Sequence, residues 1–232
     1  MEEGALGVSR PDIPLRRPSS TLAVITLVGM GWQESQRRQR DVAEQAKARP
    51  REAAASFPQA VLAITTLAWL IAVGWLVATL PERVPLHWSL SNAPDRWGSR
   101  GEAIAFAVLM PLVTAYPLIL LSRLALIWPD AINLPDKKWW LATPERLVRL
   151  ERLLREDMML FAAVMVTILV IADLSIAVAA HHPGGAAPWW TFPAVGVALA
   201  ALAAVIIRMA AGGRYRPADD GADATPPRQR DR

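Results

Sequence analysis

The sequence predicts an all-α integral membrane protein, a four-helix bundle with both termini inside (N-in/C-in) and a cytoplasmic extension of the third helix. Three observations carry that prediction. Four apolar runs, at about 60–80, 103–122, 158–180 and 189–207, each approach the roughly twenty residues needed to cross about 30 Å of hydrocarbon. Lys and Arg alternate between the flanking segments: six in 34–59, seven in 123–157 and six in 208–232, against three in the first polar loop and none in 181–188. That bias sets the direction of insertion, placing the richer segments in the cytoplasm. Finally, Trp88, Trp97, Trp128, Trp139, Trp140, Trp189 and Trp190 fall near the ends of the runs, where an amphipathic ring prefers the bilayer interface. The expected partner of the 58–210 domain is therefore the lipid bilayer. The formal charge of +4 arises from these flanks and gives no reason to expect nucleic acid.

Residues 1–57 read as a mostly disordered cytoplasmic tail, with Arg16-Arg17-Pro18, a twelve-residue apolar patch from Thr21 to Trp32, and a charged stretch up to Ser56. Twelve residues do not span. Arg37, Arg38 and Arg40 come next, with no small-x-small cleavage site close behind the patch, which argues against a signal peptide. The alternative is that part of this region is translated upstream sequence with Met30 nearer the working start, a hypothesis that mass spectrometry of the natural protein would remove by finding earlier residues. Residues 211–232 are expected to form a second disordered cytoplasmic tail.

The first span ends at Pro81 and Pro85, because proline lacks the amide hydrogen a helix needs and clashes with the preceding turn. The polar loop Pro81–Glu102 holds the densest set of candidate residues: Pro85, His87, Trp88, Pro94, Asp95, Arg96, Trp97, Gly98 and Ser99. Asn92-Ala93-Pro94-Asp95 has turn chemistry, since Asn tolerates positive φ and a residue before proline is pushed to extended conformations. Ser99-Arg100-Gly101-Glu102 has the spacing of a capping box, so the second span should start at Ser99. Pro111 and Pro117 should bend that span, leaving carbonyls for Thr114 or a neighbouring helix to satisfy.

The connection to the third span carries Asn133, Pro135, Lys137, Trp140, Pro144, Glu145 and Arg146. Its Trp139 and Trp140 are expected at headgroup level, with Lys137 and Lys138 reaching lipid phosphates. Thr143 should N-cap a helix with Pro144 in its first position. Leu147, Leu150 and Leu154 form a helical stripe, Glu145/Arg149 and Glu151/Arg155 read as exposed i,i+4 pairs, and no proline separates this helix from the third span. Asp173 is the one charge well inside a span, costing about 2.5–3.5 kcal/mol at a helix centre, and so must face protein or water. In the fourth span Gly196, Ala200 and Ala204 make a small-residue ridge, expected first to pack within the chain and second to dimerise.

All three histidines, His87, His181 and His182, fall at the predicted outer side with Asp95. Imidazole and carboxylate suit a divalent metal. No H-E-x-x-H pair accompanies them, and adjacent histidines seldom reach one ion, so neither a metal nor another cofactor is expected. Nucleophile motifs, phosphate loops and paired catalytic carboxylates are missing from the sequence, which reads as non-enzymatic.

Leu80-Pro81, Val84-Pro85-Leu86-His87-Trp88, Pro94-Asp95-Arg96-Trp97-Gly98-Ser99-Arg100, Asn133-Leu134-Pro135-Asp136-Lys137, Trp140-Leu141-Ala142 and Pro144-Glu145-Arg146 together resemble an uncharacterised family of small bacterial membrane proteins. The same unit forms the N-terminal part of SdpI-type toxin-immunity and signalling proteins. The resemblance covers roughly residues 60–160. It departs at Asn92, where the family pattern has glycine, and the polar motif of the SdpI second half is not visible after Ala180. It implies a multi-pass protein of a bacterial cytoplasmic membrane; the first functional expectation is an immunity-like or signal-sensing protein whose outer loop meets an extracellular peptide or stabilises the bundle, and whose 132–157 segment meets a cytoplasmic regulator. The alternatives are a small transporter or channel component using Asp173 and, further off, a metal-dependent membrane enzyme.

Overall fold

The structure is a computed structural model that describes residues 20–89, 91–211 and 213–217. It divides into two compact units, Met1–Arg40 and Asp41–Arg232. The first is helical from Ser20 onward, in helix α1 (Ser20–Ala48), whose last residues belong to the second. The expectation of a mostly disordered tail is thus corrected from Ser20 on; for residues 1–19, Arg16 and Arg17 among them, it lies outside the described residues. Gln, Arg, Glu, Ala and Lys, which dominate residues 33–48, are strong helix formers. The helix's last turns also bury Val42, Ala43 and Ala46, a stripe at helical spacing that joins the core of the second unit.

Four helices of the second unit are long and apolar enough to cross a membrane: α2 (Ser56–Thr79), the pair α3 (Arg100–Thr114) and α4 (Tyr116–Leu121), α7 (Pro144–Ala179) and α8 (Thr191–Ala211). The chain is a multi-pass membrane protein. Its exposed Ile64, Leu67, Ile71, Leu109, Val113, Leu120, Val197 and Ile207 need no protein partner, because hydrocarbon solvates them. Between the second span and α7 lie two short helices, α5 (Leu124–Ile127) and α6 (Lys137–Trp140).

Helix α7 is the axis of the bundle. It packs against α2, α3, α4 and α8, and 39% of its most apolar window is buried, against 17% or less for the other three. Each of the three core clusters includes it. Leu147, Leu150 and Leu153 meet Trp140, Leu141 and Tyr215 at one end; Ala162 and Val166 meet Trp69 and Ala115 in the middle; Ile176 and Ala177 meet Leu76, Val84 and Ala103 at the other end. Thr143 caps the helix by accepting from the Arg146 amide at 3.4 Å, and Pro144 occupies its first turn, as its chemistry directs. The helix runs unbroken for 36 residues.

The second span is bent, and the structure shows what the prolines leave behind. Pro111 has no amide hydrogen to give the Ala107 carbonyl, and Trp69 of α2 donates its Nε1 hydrogen to that oxygen at 2.8 Å. Thr114 Oγ1 donates to the Met110 carbonyl at 2.6 Å, and the break falls at Ala115, between α3 and α4. Trp69→Phe should therefore strand a buried carbonyl and cost roughly 1–2 kcal/mol, read as earlier thermal unfolding in detergent. Adding Pro111→Ala restores the helical donor, so the cost of Trp69→Phe should largely vanish in that background.

Three expectations are corrected. The protein is mostly helical but not all-α, because β1 (Arg83–Trp88) and β2 (Pro94–Ser99) form an antiparallel hairpin between α2 and α3. The Gly196, Ala200 and Ala204 ridge of α8 is exposed, and α8 buries Ala198 instead, so the ridge does not pack within the chain. After α8, residues 213–217 turn back with Tyr215 buried in the core; residues 212 and 218–232 lie outside the described residues.

Candidate functional site

The hairpin closes one end of the bundle. Val84, Leu86 and Trp88 alternate along β1 and all join the cluster of Leu76, Leu80, Ala103, Ala107, Ile176 and Ala177, with Val84 at 0% exposure. Pro85, unable to donate to a ladder, sits where the register slips: Pro85 pairs with Trp97 and His87 with Arg96, so Leu86 is extra on β1, and Asp95 is extra on β2 before Trp88 meets Pro94. Asn92 turns the chain at φ 62°, the left-handed conformation for which asparagine substitutes well for glycine. Its side chain also clamps the segment between α7 and α8, donating to the Ala187 carbonyl at 3.0 Å and accepting from the Ala187 amide at 3.2 Å.

Further ties hold the lid. Trp88 Nε1 donates to the Gly185 carbonyl at 2.8 Å. Gly185 has φ 68°, and a Cβ there would stand 2.7 Å from the Trp97 ring, so the ring lies flush on bare backbone. Arg100 donates to the Val77 carbonyl and His181 Nε2 lies 3.1 Å from the Thr79 carbonyl, two of the carbonyls that the end of α2 leaves without helical partners. His181 Nδ1 lies 2.8 Å from the Ala177 carbonyl, so both bonds coexist only when both ring nitrogens carry hydrogen.

The other face of the hairpin points away from the bundle. His87 Nδ1 and Asp95 Oδ1 are 2.6 Å apart with side chains 67% and 48% exposed. Arg96 pairs with Glu102, and the Arg83 guanidinium lies 5.2 Å from the centre of the half-exposed Trp97 ring. Ser99 caps α3 by accepting from the Glu102 amide at 3.1 Å, while the Glu102 carboxylate goes to Arg96 rather than back to the cap. The inward residues are consumed by packing; the outward polar ones pair only with one another, on an exposed surface.

At the opposite end α7 carries a buried charge cluster. Glu151 is 1% exposed and meets Arg51, Arg155 and Ser122; Glu156 is 2% exposed and accepts from the Ala55 amide at 2.9 Å, from Arg152 at 3.1 Å and from Arg214. Asp157, fully buried, has Oδ1 3.3 Å from both Arg208 and Arg214 and receives the Tyr215 hydroxyl at 2.6 Å. Burial, together with that hydrogen bond to Asp157, pushes the Tyr215 phenol well above its ordinary value. Trp140 Nε1 donates to the Tyr215 carbonyl at 3.0 Å, completing a knot that ties the segments before α2 and after α8 to α7.

The chain carries a domain of unknown function, DUF1648, at residues 63–112. That segment takes in most of α2, the whole hairpin and α3 as far as Leu112. No curated protein and no solved structure matches the chain. The buried charge cluster lies outside the DUF1648 segment, whereas every hairpin residue singled out in the sequence lies inside it.

The structure brings His87 to Asp95 and sends His181 to two backbone carbonyls, while His182 is exposed; among the described residues no three metal-ligating side chains converge. Asp173 is buried, its Oδ2 without a hydrogen-bond partner among the described residues, while Ser175 on the same helix bonds Thr191 of α8 at 2.8 Å. Of the connecting motif, Trp140 is corrected from headgroup level to the core at 1% exposure, because its indole is enclosed by Leu147, Leu150 and Tyr215. Trp139 meets it edge-on at 4.8 Å and takes the Arg146 guanidinium at 4.1 Å on its own face. Asn133, Pro135 and Lys138 sit on the surface side of this connection, and Lys137 begins α6 just after Asp136, which turns at φ 52°.

The expected surface pairs also change partners. Glu145 bridges to Arg49, and Glu151/Arg155 is buried rather than exposed. Missed altogether were Arg51, Glu52, Glu156, Asp157, Arg214 and Tyr215. A signal for Glu151 was present: it stands one helical repeat after Leu147 and so shares the leucine face.

Proposed function

We propose that the chain is a non-enzymatic, signal-sensing or immunity-like membrane protein. In this reading the outward face of the hairpin recognises an extracellular peptide, and α7 relays the event to a cytoplasmic regulator. The observation that carries it is the single 36-residue helix α7, which packs under the hairpin lid at one end and bears the buried charge cluster at the other. The His87–Asp95 pair and Arg96 supply exposed donors and acceptors beside the partly exposed Trp97 ring. The Lys and Arg distribution supports the N-in/C-in orientation, with the hairpin outside and the first turns of α7 as a cytoplasmic extension. The resemblance of the loop motif to SdpI-type proteins supports a bacterial cytoplasmic membrane and the immunity-like role.

The chain has no cysteine, so single thiols report cleanly. Ser91→Cys should react with an impermeant maleimide in intact cells and Lys138→Cys only after lysis. Asp95→Cys labelling should slow when the secreted peptide fraction of producing cells is added, while His182→Cys labelling stays unchanged. Reaction of Lys138→Cys in intact cells would overturn the orientation, and equal labelling of Asp95→Cys with and without peptide would overturn the recognition.

The transporter or channel reading has one observation of its own, the partnerless Asp173 carboxyl oxygen inside a span. It requires a water path to that oxygen; the cavities of about 260 and 480 Å3 are lined by other residues.

A further inference from the structure

A cavity of about 260 Å3 opens at the basic end of the bundle, with Lys47, Arg49, Arg51, Arg123, Ile127 and Glu151 among its walls. Three elements build it: the end of α1 with the segment after it, α5 with Arg123 just before it, and α7. Three of its cations already have carboxylates, Lys47 with Glu44 at 2.7 Å, Arg49 with Glu145, and Arg51 with Glu151. Arg123 has none among the described residues, and its side chain is exposed. Among the described residues, the hollow therefore holds one positive charge without a carboxylate partner.

Its surroundings say what kind of molecule carries the missing charge. Ile127, in the cavity wall, and the adjoining Trp128 are 51% and 65% exposed. Ile127 ends the short helix α5 and Trp128 follows it, a few residues beyond Leu121, where a helix apolar enough to cross the membrane ends, so their exposed surface lies near the lipid interface. A small ion in water would need no such apolar flank. A ligand with a singly charged head and an attached hydrocarbon chain uses both features, and basic pockets between spans are where such headgroups bind. The volume, just under the roughly 300 Å3 at which small-molecule pockets begin, suits a glycerophosphate head and is too small for a folded segment of protein.

We propose that this cavity binds the phosphodiester of an anionic phospholipid, with the Arg123 guanidinium supplying the charge and a planar fork of donors, and Ile127 and Trp128 flanking the first methylenes of an acyl chain. The site is separate from the hairpin and does not depend on what the hairpin recognises. It also explains why a cation is kept where the bundle offers it no partner.

The test uses the full chain in detergent, titrated with phosphatidylglycerol or phosphatidylcholine and read by native mass spectrometry. The parent protein should prefer phosphatidylglycerol, and Arg123→Gln should weaken that binding about fivefold, the effect expected of one basic residue near anionic lipid. Arg149→Gln, which removes an exposed cation outside the cavity, should leave the preference intact, and Arg123→Lys should restore part of it. Arg123 makes no ion pair among the described residues, so the variants should melt like the parent. Equal loss in Arg123→Gln and Arg149→Gln would reduce the effect to general surface charge and overturn the site. Inorganic phosphate at millimolar concentration should not displace the lipid; if it binds as well in the absence of any lipid preference, the cavity is a free-anion site and the lipid proposal fails.

Discussion

Glu156→Ala should lower stability by about 3 kcal/mol, the low end of the cost of removing one partner of a buried ion pair. The carboxylate is 2% exposed and holds three groups at once, the Ala55 amide before α2, Arg152 on its own helix and Arg214 after α8. Its loss strands the Ala55 amide and leaves Arg214 beside Asp157 alone. The effect sits at the low end because the Arg152 and Arg214 side chains are 26% and 22% exposed and can recover water. Glu52→Ala is the contrast: its carboxylate bonds Arg152 at 2.6 Å, but at 43% exposure the pair should be worth no more than about 1 kcal/mol. Thermal unfolding in detergent checks both. Equal melting temperatures for the two variants would mean that the cluster is solvated and does not fasten the ends of the chain to α7.

The parts of this architecture that depend on local chemistry were legible in the sequence. The Thr143 and Ser99 caps, the helix break after Pro111 and the left-handed Asn92 each come from one residue type acting on its own backbone, and each is found where that chemistry puts it. Partners distant in sequence were not legible. Arg51 meets Glu151 and the Ala55 amide meets Glu156 across about a hundred residues, so a charge that looks like a solvated helix face becomes a buried one only when the bundle closes. The hairpin was missed for a different reason. Pro85, Pro94 and Gly98 interrupt both strands and read as loop, while the alternation Val84, Leu86, Trp88 that marks a one-faced strand is only three residues long. The candidate residues of the outer loop were named correctly as a group, but only the fold separates Trp88, which is spent on Gly185, from His87 and Asp95, which are not.

That separation sets up the sharpest contrast in the molecule. Val84→Asp places a carboxylate at 0% exposure among Leu76, Leu80, Ala103 and Ile176, with no cation in that cluster to receive it. The cost should reach at least about 3 kcal/mol, since an unpaired charge or a protonated acid without partners must be accommodated in a packed apolar site. Three residues along the same strand, His87→Ala removes one half of an exposed pair and should cost under about 1 kcal/mol, as should Asp95→Ala. Membrane abundance and melting temperature in detergent, measured on the three variants side by side, decide what the outward face is for. Loss confined to Val84→Asp would mean that the lid is held by its inner face alone, leaving His87 and Asp95 for a partner. Comparable loss in all three would mean that the His87–Asp95 pair fixes the two bulges in register, and the hairpin would then be a plug whose polar surface has no recognition to perform.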